Sequence, residues 1–210
     1  LGYLTKNQVE AIIDAPDADT WSGRRDRVLL ATMYNTGARV SEIISLRQKD
    51  LTIQQATSTV LIEGKGRKQR IVPLWKSTTR HLRTWLKNLP PNIESPLFPN
   101  ASGEPLSRSG VEHRLRRAVS LAVIKCPSLK NLKLSPHTFR HTTAMHLLQS
   151  GVDLSIIAIW LGHESTATTH MYLEADLALK EKAIQSLTEP AAKSIRYQPP
   201  DTLLRFLQSL

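Results

Sequence analysis

The sequence has too little cysteine for a disulfide framework or a cysteine-based metal site, and it lacks the long apolar run of a membrane span. It has 210 residues and one cysteine, Cys126, so it cannot form an internal disulfide, and a reducing compartment suits it. No stretch approaches the roughly 18 consecutive apolar residues that a membrane-spanning helix needs. We therefore expect a protein without membrane contact that works in the cytoplasm.

Acidic residues are scarce relative to basic ones. Lys and Arg number 28 against 18 Asp and Glu, which gives a net charge of +10 and a pI near 10.0. The excess is clustered in GKGRKQR at positions 64–70 and in two later groups, Arg108, Arg114, Arg116 and Arg117, then Lys125, Lys130 and Lys133. This pattern predicts a polyanionic partner, most simply nucleic acid, and a location in the nucleoid fits it; a merely solvated basic surface is the alternative.

Most of the chain has helical periodicity. Capping residues, apolar spacing and glycine stops predict helices around Val9 to Ile13, Arg24 to Thr36, Ser41 to Leu46, Lys76 to Asn88, Ser107 to Val119, Pro136 to Gly151, Asp153 to Gly162 and Asp176 to Leu187. Three short segments rich in β-branched residues predict strands, at Leu51 to Ile53, Ser58 to Glu63 and Gln69 to Leu74. The predicted class is therefore α+β, mainly α-helical, with a small three-stranded antiparallel sheet.

One set of polar residues suggests a reaction centre. Arg39 follows a glycine stop at a corner between two helices, where Glu42 is placed to orient its guanidinium. His137 and Arg140 are spaced i and i+3, so they share a helix face. Lys65 lies at the tip of a Gly-Lys-Gly turn, a motif that is weak alone. His163 follows the glycine stop of the next helix, and Tyr172 lies nine residues further on.

These groups are two guanidiniums, an ammonium, two imidazoles and a phenol, with no carboxylate cluster that would hold a divalent metal. That set suits attack on a phosphodiester by a side-chain nucleophile, because arginine forks can neutralise charge on non-bridging oxygens. A tyrosine with a pKa near 10 needs a proton acceptor during attack, and a leaving 5′ oxygen needs a proton donor. His137 suits the first role and Lys65 the second, with Lys68 or His163 as the other possible donors. We expect no metal and no other cofactor.

Five ordered motifs also carry a family resemblance: Gly37-Ala38-Arg39-Val40-Ser41-Glu42, Gly64-Lys65-Gly66, His137-Thr138-Phe139-Arg140-His141, Leu161-Gly162-His163 and Thr168-Thr169-His170-Met171-Tyr172. They resemble the signature segments of the tyrosine recombinases, or phage-type integrases, over about Thr5 to Leu187. The resemblance implies the catalytic-domain fold of that family and a site-specific recombinase, an integrase or resolvase, that cuts and rejoins DNA through a 3′-phosphotyrosyl intermediate without metal or ATP. By match, the catalytic residues are Arg39, Lys65, His137, Arg140, His163 and the nucleophile Tyr172.

The resemblance also shapes the expected organisation and partners. Residues 1–189 are predicted to form the catalytic domain and 190–210 a linker and C-terminal tail helix, while the N-terminal core-binding domain usual in such enzymes is absent from this chain. Such proteins act as tetramers on two DNA duplexes, which implies a homotetramer with possible exchange of the tail between subunits. Expected DNA contacts are the basic residues Arg67, Lys68, Arg70, Arg108, Arg114, Arg116 and Arg117.

Three alternatives stay open at this point. His137 and His141 have a spacing that can bind zinc, but residue 138 is Thr where a metalloprotease helix would carry Glu. A type IB topoisomerase would use similar tyrosine chemistry to relax supercoils, although the chain lacks the large clamp of those enzymes. A non-catalytic DNA-binding module would also be basic and helical, but it has no use for an ordered phenol and lysine.

Overall fold

The computed structural model describes residues 2–55 and 57–162. Within that part of the chain, the helices are α1 (Lys6–Asp14), α2 (Trp21–Thr36), α3 (Val40–Ser45), α4 (Lys76–Leu86), α5 (Arg108–Ala122), α6 (Pro136–Gln149) and α7 (Leu154–Leu161). The strands are β1 (Leu51–Thr52), β2 (Ser58–Glu63) and β3 (Gln69–Leu74). Short 3-10 turns occupy Gln48–Asp50, Lys65–Arg67 and Pro127–Leu129. The predicted class, mainly α-helical with a small sheet, is confirmed.

The sheet is antiparallel, with the strands in the order β1-β2-β3. Leu51 of β1 is opposite Val60 of β2, and Val60 is opposite Val72 of β3. Because side chains alternate between the two faces of a strand, Val60 and Ile62 point inward together with Val72 and Leu74 of the neighbouring strand, and all four are buried. The inner face of the sheet thus packs on the helices, and the hairpin between β2 and β3 extends from it.

Helix boundaries follow the capping chemistry. Thr5 and Gln8 form the expected capping box at the start of α1, and Gly37 ends α2 in the left-handed conformation with φ 58°. The predicted start of α2 at Arg24 is wrong, because the Thr20 side chain accepts a hydrogen bond from Gly23 N and begins the helix at Trp21. Likewise α5 continues past Val119, since Ala122 is buried in the core and extends its apolar face by one turn.

The main hydrophobic core surrounds α2. Leu29, Leu30 and Met33 of α2 are almost fully buried, and they belong to a cluster that includes Leu82 and Trp85 of α4 and residues of α5 and the sheet. A second, smaller cluster joins α6 and α7 through Ala144, Met145, Leu147, Ile157 and Leu161. Packing at this second cluster brings the C-terminal end of α7 next to Gly37, because a Cβ at Gly37 would lie 2.4 Å from Leu161 Cδ2. The ends of α2 and α7 therefore meet.

None of the helices that the structure describes is both long enough and apolar enough to cross a membrane. The predicted helix from Asp176 to Leu187, the linker and the tail helix lie outside the described residues.

Candidate active site

Arg39 occupies the corner between α2 and α3. Gly37 turns the chain out of α2, and Arg39 then takes an extended conformation as the N-cap of α3. Its backbone N–H donates to Glu42 Oε2 at 2.8 Å, and its Nη1 donates to Glu42 Oε1 at 3.0 Å. The side chain is 39% exposed, so the guanidinium is held from one side and open to solvent on the other.

Glu42 is a buried carboxylate that serves two arginines. Besides Arg39, it accepts hydrogen bonds from Arg70, from Nη2 at 2.7 Å and from Nη1 at 3.2 Å. Burial alone would raise the pKa of Glu42, but the hydrogen bonds from Arg70 and Arg39 and the positive charge of Arg70 outweigh burial and leave the pKa below its ordinary value of 4.5. Glu42 is therefore an anion at neutral pH, as its proposed orienting role requires.

Arg140 is fixed between the C-terminal ends of two helices. It projects from α6, is 7% exposed, and donates from Nη1 to Gly37 O at 2.6 Å and from Nη2 to Leu161 O at 2.8 Å. Carbonyls at a helix C-terminus have no partner within the helix and carry partial negative charge, so a guanidinium is favourable there. The ends of α2 and α7 thereby set the direction of Arg140.

Three successive backbone carbonyls at the C-terminal end of α7, including that of its C-cap Gly162, each accept a hydrogen bond from a different arginine. Trp160 O accepts from Arg70 Nε at 2.9 Å, Leu161 O accepts from Arg140 at 2.8 Å, and Gly162 O accepts a longer contact from Arg39 Nη1 at 3.4 Å. These arginines come from β3, α6 and the start of α3, so one helix end gathers groups that are far apart in sequence. The next residue of the chain is His163.

Lys65 and His137 are exposed residues of the hairpin and of α6. Lys65 begins the 3-10 turn at the tip of the β2–β3 hairpin, where Gly64 N donates to Lys68 O at 2.8 Å and Gly66 has a φ of 71°. His137 follows Pro136 in the first turn of α6, which the Ser135 hydroxyl caps by accepting from Thr138 N. Both side chains are exposed and free to meet a substrate.

The seven residues expected to contact DNA fall into two groups. Five are exposed, namely Arg67 and Lys68 on the hairpin and Arg108, Arg116 and Arg117 on α5. Arg114 is half-buried, with Nη1 3.8 Å from Asp26 Oδ2. Arg70 differs most from the expectation, because its side chain is 8% exposed and its fork is held by Glu42 and Trp160 O. Its burial follows from alternation along β3, which places Arg70 on the inner face with Val72 and Leu74.

Packing contacts account for two further histidines of the described chain, His141 and His146. His146 is buried and its Nδ1 lies 2.6 Å from Tyr34 Oη, while burial lowers the pKa of this histidine. His141 packs edge-on against the ring of Tyr3, with centroids 6.4 Å apart. Within residues 2–55 and 57–162, no three His, Cys, Asp or Glu side chains are grouped closely enough to hold a metal ion.

His163 and Tyr172 lie outside the described residues, so their predicted roles stay predictions. Sequence reasoning identified Arg39, Arg140 and Glu42, which the structure brings together at the end of α7. It missed the structural part of Arg70 and the backbone carbonyls of Trp160 and Leu161. The alternation of inward and outward residues in β3 could have shown that Arg70 points inward. Backbone carbonyls are the same in every residue, so the sequence does not show which of them accept hydrogen bonds from arginines.

Comparisons with known proteins identify the family to which the chain belongs. The family model described as "Phage integrase family" matches residues 2–178. The chain is 47% identical over 210 residues to the putative integrase/recombinase y4rC of Sinorhizobium fredii, covering 100% of this chain and 63% of that protein. It is 36% identical over 180 residues to the tyrosine recombinase XerD of Xanthomonas axonopodis pv. citri, covering 80% of this chain and 57% of that protein. The chain thus spans somewhat more than half the length of these curated relatives.

Solved structures show the same fold. The XerH site-specific recombinase in a post-cleavage complex with its palindromic difH substrate superimposes with a TM-score of 0.73 at 29% identity, covering 88% of this chain and 52% of that one. The XerA recombinase gives a TM-score of 0.70 at 27% identity, covering 90% of this chain and 65% of that one. The described helices and sheet therefore have the fold of a tyrosine recombinase catalytic domain.

Proposed function

Because the chain belongs to the phage integrase family of tyrosine recombinases, we propose that it cuts and rejoins double-stranded DNA at specific sites through a covalent phosphotyrosyl intermediate. The observation that carries the proposal is the pair of guanidiniums, Arg39 and Arg140, fixed at the same end of α7. A relative of the same fold was solved as a post-cleavage complex on its DNA substrate, which supports DNA as the substrate class.

The two arginines bind the scissile phosphate. Each guanidinium offers paired N–H donors that match the non-bridging oxygens, and negative charge accumulates on those oxygens in the pentavalent transition state. Because both side chains are held by carbonyls or by Glu42 before substrate arrives, the donors need little reorganisation. Donors placed in this way stabilise a transition state by about 3–4 kcal/mol each, which makes a divalent metal unnecessary.

The chemistry then proceeds by one exchange of bonds. Tyr172 Oη attacks the phosphorus and its proton passes to His137, while the P–O5′ bond breaks and the 5′ oxygen takes a proton from Lys65. The products are a 3′-phosphotyrosyl bond and a free 5′-hydroxyl, which attacks the corresponding intermediate of a partner strand. Bond energy stays in the protein–DNA link, so ATP is not consumed. His163, which directly follows the carbonyl bound by Arg39, lies in sequence where it would add a further donor to the phosphate.

Strand exchange between two duplexes calls for an assembly, and we propose a homotetramer. The segment 201–210 carries Leu203, Leu204, Leu207 and Leu210, which would fall on one side of a helix. A ten-residue helix is too short to be stable alone in water, so its leucines need a surface to bury them. We propose that the tail docks on a neighbouring subunit. Deleting residues 199–210 should then weaken strand exchange and assembly more than binding of a single duplex, as measured by native gel and sedimentation.

Covalent trapping tests the proposed function directly. The purified protein is incubated with nicked duplex fragments of genomic DNA. After cleavage near a nick, the short strand that carries the 5′-hydroxyl dissociates, so the strand cannot be rejoined. The covalent adducts are then recovered and sequenced. We expect adducts at a defined site for the wild type and none for Tyr172→Phe, which removes the nucleophile but little binding surface. An adduct that persists in the Phe variant would contradict the assignment. Supercoiled plasmid assayed in parallel separates strand exchange from relaxation by a topoisomerase.

A further inference from the structure

We infer that Arg70 is a positioning residue of the reaction, which neutralises Glu42 so that Glu42 holds Arg39 in place without cancelling the positive charge that Arg39 offers to the phosphate. The inference rests on the proposed function, in which Arg39 binds the scissile phosphate. It begins from an apparent conflict: a group meant to attract an anion has a buried carboxylate 3.0 Å away.

A buried carboxylate beside a single arginine would form a neutral pair. Glu42 is 3% exposed, and in such surroundings charge interactions are screened much less than in water. If Arg39 were its sole partner, both oxygens would be taken up by the guanidinium that should contact DNA. The site would then lose one of its two positive charges, and the orienting contact would reduce the attraction that it serves.

The structure supplies Glu42 with a second cationic partner, Arg70. Arg70 donates to both carboxylate oxygens, at 2.7 and 3.2 Å, whereas the Arg39 side chain reaches one of them. The Arg70 side chain is 8% exposed and the Arg39 side chain 39%. Arg70 is therefore enclosed with Glu42, whereas the Arg39 guanidinium remains accessible to a substrate. Two arginines against one carboxylate leave a net positive charge, and that charge is at the solvent-facing guanidinium.

Arg70 also connects this pair to α7. Its Nε donates to Trp160 O at 2.9 Å, and its fork lies against Gly162, where a Cβ would come within 2.8 Å of Nη1. Gly64 at the base of the hairpin is also near this pair, since a Cβ there would lie 3.3 Å from Glu42 Oε1 and 3.7 Å from Arg70 Nη1. The hairpin that carries Lys65, the corner that carries Arg39 and the turn before His163 thus meet at one buried guanidinium.

Four variants separate this role from simple packing. Arg70→Met removes the charge and keeps an apolar stem, Arg70→Lys keeps the charge and loses the fork, and Arg70→Met combined with Glu42→Gln removes both charges. Arg83→Met, on the exposed surface of α4, is the matched control for loss of one positive charge. The rate of adduct formation is measured in single turnover, with saturating protein and nicked duplex bearing the trapped site, at a temperature where every variant is folded.

We expect Arg70→Met to slow adduct formation by about 100-fold, which corresponds to losing one fixed donor. The double variant should recover at least ten-fold of that loss, because a neutral amide no longer cancels Arg39, and Arg70→Lys should lie between wild type and Arg70→Met. If Arg70 served only to tie β3 to α7, the double variant would remain as slow as Arg70→Met. That result, or a rate for Arg70→Met within three-fold of Arg83→Met, overturns the inference.

A measurement that needs no DNA cleavage separates the role of Arg70 from the proposed function. Side-chain ¹⁵N NMR reports how tightly the Arg39 guanidinium protons are held, and in Arg70→Met they should exchange more slowly with water because Glu42 turns fully to Arg39. Unchanged Arg39 signals in Arg70→Met would overturn the inference even if cleavage falls. Conversely, a wild-type protein that forms no adduct contradicts the proposed function, while the NMR comparison still decides the role of Arg70.

Discussion

Two regions of the candidate site differ in how rigidly they are held. One is the framework at the end of α7, formed by Arg39, Glu42, Arg70 and Arg140, and the other is the hairpin tip that carries Lys65. In the framework, Arg140 is 7% exposed and hydrogen bonds to carbonyls of two helix ends, and Glu42 is held by two arginines. At the tip, Lys65 is exposed on a 3-10 turn that contains positive φ angles at Gly66 and Arg67. Arg140 and Glu42, to which we assign phosphate binding and the orientation of Arg39, are buried, whereas the proposed proton donor is exposed on the surface.

This difference suits the two kinds of chemistry that we propose for the two regions. Stabilising a transition state by charge is most effective when the donors are oriented in advance, and burial behind hydrogen bonds provides that orientation. A general acid must instead approach the leaving oxygen only once DNA is bound, and an exposed lysine on a tight turn can do so. Substitutions in the framework should therefore affect stability and catalysis together, while substitutions at the tip should affect catalysis alone.

The largest effect is expected for Arg140→Ala. It removes a guanidinium from the phosphate and takes from the buried carbonyls of Gly37 and Leu161 the hydrogen bonds that Arg140 donates to them. Adduct formation should fall by about 10³-fold or more, equivalent to about 4 kcal/mol. The variant should also unfold more easily by about 1–3 kcal/mol. Single-turnover kinetics and denaturant titration measure the two losses, and a slow but fully stable variant would break the proposed link between them.

Lys65→Ala should reduce catalysis without a stability cost. Loss of a general acid should slow cleavage of an ordinary 5′ oxygen by about 10²-fold. A 5′-bridging phosphorothiolate has a sulfur leaving group that needs no proton, so that substrate should be cleaved nearly as fast as by the wild type. Should both substrates slow equally, Lys65 contributes charge instead, and Lys68 or His163 becomes the better proton donor.

Gly37→Ala tests how tightly the two helix ends are joined. A left-handed alanine costs about 1–2 kcal/mol, and here its Cβ would also lie 2.4 Å from Leu161 Cδ2. Gly103→Ala is the matched control, because Gly103 has φ 83° but nothing within 4 Å of an added Cβ. We expect Gly37→Ala to lower the free energy of unfolding by about 2 kcal/mol more than the control does. Equal losses would mean that α7 can shift away from α2 without cost.

The smallest effect concerns the pH dependence of stability through Glu42. Its pKa is lower in the folded chain than its ordinary value of 4.5, so its stabilising contribution is present above that value and is lost as pH falls through the folded pKa. Glu42→Gln should be less stable than the wild type by about 1 kcal/mol near pH 7, and the difference should shrink below pH 4.5. Glu63→Gln, at an exposed position, serves as control. A difference that stays constant to low pH would show that Glu42 is not stabilised as an anion.

Much of the fold was predictable because its signals are local. The capping box at Thr5, the glycine stops at Gly37 and Gly162 and the three strands all depend on neighbouring residues, and the structure confirms them. The start of α2 was missed because Trp21 is followed by a glycine and polar residues as far as Arg27, so the apolar pattern becomes visible only from Val28.

The residue types of the candidate site are a prediction from the sequence, whereas the contacts between these residues could not be predicted from it. Arg39 and Arg140 were identified from their corner and helix-face positions, but their meeting point depends on the packing of α7 against α2 and α6, which is a tertiary property. Arg70 was placed among DNA contacts because it belongs to a basic run, and charge density outweighed the alternation that buries it. A basic residue within a strand should therefore be checked against the period of two before it is counted as surface.

The central claim is that fixed guanidiniums, without a metal, neutralise charge on the scissile phosphate. The most direct measurement compares Arg140→Ala with the wild type on a phosphate and on a methylphosphonate, in which a methyl group replaces one non-bridging oxygen, with both reactions run in EDTA. The account predicts that the wild type forms adducts in EDTA. It also predicts that the loss of about 10³-fold on phosphate shrinks to about 10-fold or less on the uncharged substrate. Equal losses on the two substrates, or a wild type that is inactive until a divalent cation is added, would contradict it.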